Sequence, residues 1–309
     1  MNPKKIFRTE VDTSLSIENL SHSDSLILIG SCFSNQMSKY FNTNCFNVLK
    51  PFGNIYNPIS LQQNIQNAIN NKIFDTTSLV EADNVFLSWN HSGRYFNKYE
   101  KLLLNTINRE QEKIHQLINN NATIIVTFGT SNVYEMICNN KIVANCHKKP
   151  ASLFNKRRLS VSDIVESWSK VLKLINNQVI FTVSPVRHIK DGLKESNLSK
   201  SILLLAVNEL CKEFRNQTHY FPSYELLIDE LRDYRFYAND WVHPSVEATD
   251  FIWEKLSNEL FSNETKSIII KIGKIRRDLA HNPKFGLSKE NTIFLKNILE
   301  KINEIKNLT

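Results

Sequence analysis

Glycine and proline are scarce, at 7 and 8 residues in a chain of 309, which excludes collagen-like and low-complexity architectures. Long apolar runs are missing too. None approaches the roughly 20 residues that cross a bilayer as a helix, and the opening MNPKKIFRTEVDTSLSIENL has no apolar core of a signal peptide. Five cysteines (Cys32, Cys45, Cys138, Cys146, Cys211) are odd in number and irregularly spaced. With no visible leader, reduced thiols and a cytoplasmic location are expected. CxxC, HExxH, GxGxxG and P-loop patterns do not occur, so no cofactor is expected. Cys138, Cys146 and His147 fall short of a tetrahedral set, and no metal is expected.

What is present describes an ordinary globular chain. Apolar residues make up 41% and aromatics 10%. A chain this long buries roughly 75% of the surface it exposes when unfolded, enough for a core without disulfides or metals. Lys and Arg number 38 against 31 Asp and Glu, a formal charge of +7. The densest basic patches, Lys156-Arg157-Arg158 and Lys271 to Arg277, are short and read as solvated surface, so neither a nucleic-acid nor a membrane partner is expected.

Runs rich in β-branched residues alternate with helical patterns, the signature of βαβ units around a parallel sheet. Five strands are expected: Ser25–Gly30, Asn44–Leu49, Ala122–Gly129, Gln178–Pro185 and Thr218–Phe221. Apolar positions recur at three- and four-residue intervals over Leu61–Asn71, Tyr99–Asn119, Val161–Asn176, Leu198–Arg215 and Val246–Phe261, each read as a helix. The stretch Thr76 to Tyr99 fits neither period and is expected to be an inserted loop over the sheet. A domain over 1–265 is followed by a charged, amphipathic helical extension over 266–309, broken at His281-Asn282-Pro283 and packed on the core.

Three polar clusters fall just past strand ends, where open α/β sheets build their sites. Gly30-Ser31-Cys32-Phe33-Ser34 follows the first strand. A hydroxyl there stands at the sheet rim, with its N–H at the positive end of a helix. Asp240-Trp241-Val242-His243 follows the fifth strand. A carboxylate three residues before an imidazole can accept its Nδ1–H and leave Nε2 to take a proton, although both residues also serve as simple caps. Gly129-Thr130-Ser131-Asn132 follows the third strand, and Pro51-Phe52-Gly53-Asn54 the second. Either offers donors for an oxyanion or plain turn chemistry.

Taken in order, these motifs resemble the SGNH/GDSL hydrolases, and within them the GSCFA-domain family, whose namesake stretch reads GSCFS here. The resemblance extends to NCHKKP at Asn145–Pro150, TVSPVRHIKDG at Thr182–Gly192, the run Tyr220–Ser245 and HNPKF at His281–Phe285. It implies a three-layer, flavodoxin-like SGNH hydrolase fold with a five-stranded parallel sheet. It also implies Ser31 as nucleophile, His243 as general base and Asp240 as its orienting partner. Oxyanion donors would be the N–H groups of Ser31 and Gly53, with Ser131 or Asn132 adding a side chain. Two departures stand out. Gly-Asp-Ser of the wider superfamily reads Gly-Ser-Cys, displacing the serine by one, and Ser131 stands where the oxyanion asparagine would be.

Cys32 is the rival nucleophile, since a thiol near a helix N-terminus and an imidazole can ionise near neutral pH. The expectation is nevertheless a small buried residue behind Ser31. Arg187 and His188 follow the fourth strand and reach the same rim. His147 and Lys148 lie beyond the third, and His91 is a candidate lid residue. Together with Asn54 and Thr130 these are expected substrate contacts. The expected function is a serine esterase or deacetylase working through an acyl-enzyme on a small-molecule or carbohydrate ester. The alternatives are an acyltransferase of the same fold, or a non-catalytic carbohydrate- or nucleic-acid-binding protein.

Overall fold

A computed structural model describes residues 8–280 and 289–306. In chain order the elements are β1 (Ser25–Gly30), α1 (Cys32–Thr43), β2 (Asn47–Leu49), α2 (Pro58–Ile69), β3 (Leu79–Ala82), β4 (Val85–Ser88), β5 (Phe96–Asn97) and α3 (Glu100–Asn119). They continue with β6 (Thr123–Phe128), β7 (Asn132–Met136), β8 (Ile142–Val143), β9 (Phe154–Arg158), α4 (Val161–Leu172), β10 (Val179–Val183), α5 (Leu193–Glu213) and β11 (Thr218–Phe221). After α6 (Ser223–Glu225) and a π-helical turn over Leu226–Leu231 come α7 (Val246–Leu260), α8 (Asn263–Ala280) and α9 (Lys289–Lys306).

The expected five strands form one parallel sheet in the order β11-β10-β6-β1-β2. Their apolar residues alternate between two helical layers, as a strand's period of two requires. Ile27, Ile29, Val126, Phe128 and Phe181 face α2 to α5, where Trp168 and Leu203 close the larger core. Leu26, Leu28, Ile125 and Ile180 face α1 and α7, against Phe33, Met37, Phe41 and Ile252. The result is a three-layer, flavodoxin-like α/β fold. Chain direction across the sheet reverses between β1 and β6, so the crevice at their carboxyl ends is the place for a ligand.

Three expectations need correction. The segment Thr76 to Tyr99 is not a plain loop: β3, β4 and β5 form an antiparallel sheet. Its first hairpin turns at Asp83-Asn84, both with positive φ, which suits the twist of a tight hairpin. A second small sheet, β8-β7-β9, follows β6 where only a loop was expected. The C-terminal helices begin at Asn263 rather than 266, and Ile268, Ile272 and Ile275 of α8 pack against Ile298 of α9. The expected break at His281-Asn282-Pro283 and the HNPKF stretch lie outside the described residues.

Candidate active site

Gly30 ends β1 in a conformation other residues avoid, with φ of 131°, and a Cβ there would lie 2.2 Å from the Thr127 carbonyl oxygen. That close approach lets the chain turn sharply from strand to helix. Ser31 becomes the N-cap and Cys32 the first residue of α1. The two adjacent side chains then meet different surroundings. Ser31 is 1% exposed, its hydroxyl has no hydrogen-bond partner, and its N–H donates to the Thr127 carbonyl (3.1 Å). Cys32 Sγ stands 3.4 Å from His243 Nε2. The structure therefore reverses the expected arrangement: the thiol faces the imidazole, and the serine is the buried residue behind it.

His243 sits in a loop held at three points. Tyr237 bridges Pro244, the Ala238 N–H donates to the His243 carbonyl (2.8 Å), and the Arg187 N–H donates to the Val242 carbonyl (3.1 Å). Asp240 Oδ2 pairs with His243 Nδ1 at 2.6 Å, and its Oδ1 accepts the N–H groups of Val242 and His243, both at 2.9 Å. The backbone N–H and the imidazole of His243, with the Val242 N–H, hold this carboxyl down to about 2. Asp240 is thus an ionised acceptor that fixes the imidazole with Nε2 toward the sulfur. The pair is half-exposed, so the site is a surface cleft.

Burial pushes the Cys32 thiol up, opposed by the N–H groups of Cys32 and Phe33 and by the positive charges of Lys200 and Lys50. Lys200 is 2% exposed and donates to the carbonyls of Gly129 (2.9 Å) and Ser184 (2.6 Å), the residues just past β6 and β10. Burial lowers its ammonium to about 7. The adjoining cavity of about 350 Å³ is walled by Tyr56, Val186, Ile189 and Val242, with Arg187, His188 and Lys190 at hand.

Of the expected oxyanion donors, the Ser31 N–H and the side chains of Ser131 and Asn132 are otherwise engaged. The Ser31 N–H is spent on Thr127. Ser131 is buried and gives its hydroxyl to Ser199 Oγ (3.1 Å), and Asn132 Nδ2 donates to Asp191 Oδ2 (3.3 Å). The N–H groups of Gly129 and Thr130 both donate to the Tyr56 carbonyl, while Thr130 Oγ1 pairs with Ser199 (3.0 Å). Gly53 and Asn54 lie beside Gly30 and receive the Lys50 ammonium on the Gly53 carbonyl and on Asn54 Oδ1, each at 3.1 Å. The donors that do face the sulfur are the N–H groups opening α1.

Of the expected contacts, Arg187 and His188 line the cavity. The Arg187 guanidinium stacks 4.0 Å over Tyr237. His91 and His147 are structural: both are buried and meet at Ser88, one on its hydroxyl (2.7 Å) and the other on its carbonyl (2.8 Å). Lys148 is an exposed turn residue away from the cavity. Lys200 was missed. The available signal was its position on the buried stripe of α5, in register with Leu203, Val207 and Leu210, where a lysine has no ordinary reason to be.

The family model described as the GSCFA family matches residues 25–256. The chain belongs to the GSCFA family. The match contains the whole central sheet and every residue of the Cys32, His243 and Asp240 cluster, and it stops within α7. In this GSCFA chain, α8 and α9 therefore lie beyond the shared region. No curated protein matches it.

Proposed function

We propose that this GSCFA protein is an acyl hydrolase or acyltransferase that works through a thioester on Cys32, with His243 as general base and acid and Asp240 orienting it. The observation that carries the reading is the run of contacts Cys32 Sγ to His243 Nε2 and His243 Nδ1 to Asp240 Oδ2, with gaps of 3.4 and 2.6 Å, at the sheet's switch point. Kinship to the SGNH/GDSL hydrolases is part of the proposal. The strand order and the Asp-x-x-His loop support it, and Cys32 then occupies the third position of Gly-Asp-Ser.

In this reading Sγ attacks the ester carbonyl carbon while its proton passes to His243 Nε2, and the resulting imidazolium is stabilised by Asp240. The carbonyl oxygen becomes an oxyanion near the N–H groups of the first turn of α1. Collapse breaks the bond to the leaving alcohol, which takes the proton from His243. Water, or an acceptor hydroxyl, then attacks the thioester by the same route in reverse roles, releasing the acyl group and restoring the thiol. Burial pushes the Cys32 thiol up, which favours transfer of its proton to the imidazole during attack. The apolar walls of the cavity suit a small acyl group.

The test is hydrolysis of p-nitrophenyl acetate and butyrate by full-length variants. Cys32→Ala is expected to lower kcat/KM by about a thousandfold or more, and His243→Ala by about a hundredfold or more, whereas Ser31→Ala leaves most of it. Loss of activity in Ser31→Ala with retention in Cys32→Ala would return the nucleophile to the serine. No turnover of any ester by the wild type would remove the reading.

A further inference from the structure

On the β2 side of Cys32 a second cleft, of about 270 Å³, opens between the inserted β3-β4-β5 sheet and α3. Two cations enter it from different parts of the chain. Lys50 follows β2 and is half-buried. Its ammonium donates to two neutral oxygens, the Gly53 carbonyl and Asn54 Oδ1, and keeps a third donor. Arg94 comes from the insertion. The contact that delivers it is tight: the Ser92 N–H donates to the Phe52 carbonyl (3.0 Å), and a Cβ on Gly53 would lie 1.9 Å from Ser92 Oγ.

Neither cation has a carboxylate within ion-pair distance, and Glu110 acts on both only at longer range. Among the described residues, no ion pair is formed by Lys50 or Arg94. The cleft's one acid, Glu110, is turned to its own donors. Its Oε2 accepts the Tyr95 hydroxyl and the Phe52 N–H (3.3 Å), and burial raises its carboxyl. The cost is visible on Lys50, whose ammonium is lowered to about 8, first by burial and then by Arg94. Its ammonium holds Asn54 Oδ1, and Asn54 bridges Gly30, two residues before Cys32, which sets the cleft on the β2 side of that centre. A half-buried ammonium and an exposed guanidinium that line one cleft, neither within ion-pair distance of a carboxylate, can together recognise a carboxylate or phosphate.

We infer that the Lys50 and Arg94 cleft is an anion subsite of the Cys32 centre, which selects an acyl substrate carrying a carboxylate or phosphate close to its scissile carbonyl. Its place in the reaction rests on the acyl-transfer reading; its anion binding does not.

The experiment is isothermal titration calorimetry on the full-length wild type and on Cys32→Ala, with glutarate, inorganic phosphate and neutral glutaramide as probes. Saturable binding of glutarate or phosphate, without glutaramide binding, is expected in both proteins. The preferred probe tells which oxyanion the site takes. Arg94→Gln and Lys50→Met, with circular dichroism matching the wild type, are expected to weaken that binding about tenfold or more, the loss of one charge-assisted hydrogen bond. Lys148→Gln leaves it unchanged. Absence of saturable binding, equal binding of glutaramide, or full affinity in both cleft variants overturns the inference. If anions bind as expected while Cys32→Ala still hydrolyses esters, the acyl-transfer reading fails and the anion site stands. If Cys32 is acylated but no anion binds, the reverse holds.

Discussion

Ser31 and Cys32 differ by one step along the chain, yet the N-terminus of α1 gives one a buried pocket and the other an imidazole. An N-cap takes extended backbone angles, and here its hydroxyl is buried and unpartnered at the base of the cavity, whereas the thiol of the first helical residue meets the imidazole. Lys200 adds a buried positive charge whose effect depends on pH. Its ammonium is lowered to about 7, so the charge is present below that pH and fades above it. Lys200→Met is expected to slow alkylation of Cys32 by iodoacetamide most at pH 6, with the difference shrinking toward pH 9. A pH-independent difference would mean that the lysine acts only by holding the Gly129 and Ser184 carbonyls. His91 titrates on the acid side, held neutral down to about 3 by burial and by His147. In the unfolded chain it gains a proton near 6.5. Between those values the unfolded state binds the extra proton, so stability falls as pH drops, by at most about 1.4 kcal/mol per pH unit from this group. His91→Phe is expected to flatten that fall in denaturant midpoints measured from pH 6.5 to 4, and an unchanged slope would contradict the assignment.

Elements whose chemistry matches their surroundings could be read from the chain. β6 and β10 are buried on both faces, so continuous Ile, Val, Thr and Phe mark them unambiguously. α1 was expected as a helix opening at Ser31 but without bounds, although Phe33, Met37 and Phe41 recur along it at four-residue steps. β9 is an edge strand, Phe-Asn-Lys-Arg-Arg, whose exposed charges erase any apolar alternation. The candidate site was legible as a set of loops, and Asp240 and His243 came together as their spacing implied. Which of two adjacent residues meets the imidazole depends on the helix register, which a motif does not state. Lys50, Arg94 and Glu110 converge only because the inserted sheet seats on Gly53. Gly53→Ala is expected to destabilise the protein by about 1–3 kcal/mol, from overpacking against Ser92 and the left-handed φ of 70°. Gly93→Ala, whose added carbon meets nothing closer than 3.8 Å, serves as the near-neutral control in the same urea titration.

At the scale of the molecule, the family match contains the parallel sheet, while α8 and α9 lie beyond the match and α8 meets the sheet's core through Ile269. Their cluster of Ile268, Ile272, Ile275 and Ile298 is distinct from the two cores that carry the sheet. A chain ending after Ala280 is therefore expected to keep the alkylation rate of Cys32 and to self-associate through the uncovered face of α8, as read by size-exclusion chromatography. A lost thiol reactivity would tie the tail to the site. Among the described residues no helix is long and apolar enough to cross a membrane. In the proposed reaction the acyl intermediate is carried on the Cys32 sulfur. Rapid acid quenching of the protein during turnover of p-nitrophenyl butyrate, followed by intact-mass and peptide mapping, tests it most directly. One acyl adduct on Cys32, released by hydroxylamine and absent from Cys32→Ala, is expected. An adduct on Ser31, or the same adduct formed in Cys32→Ala, would contradict it.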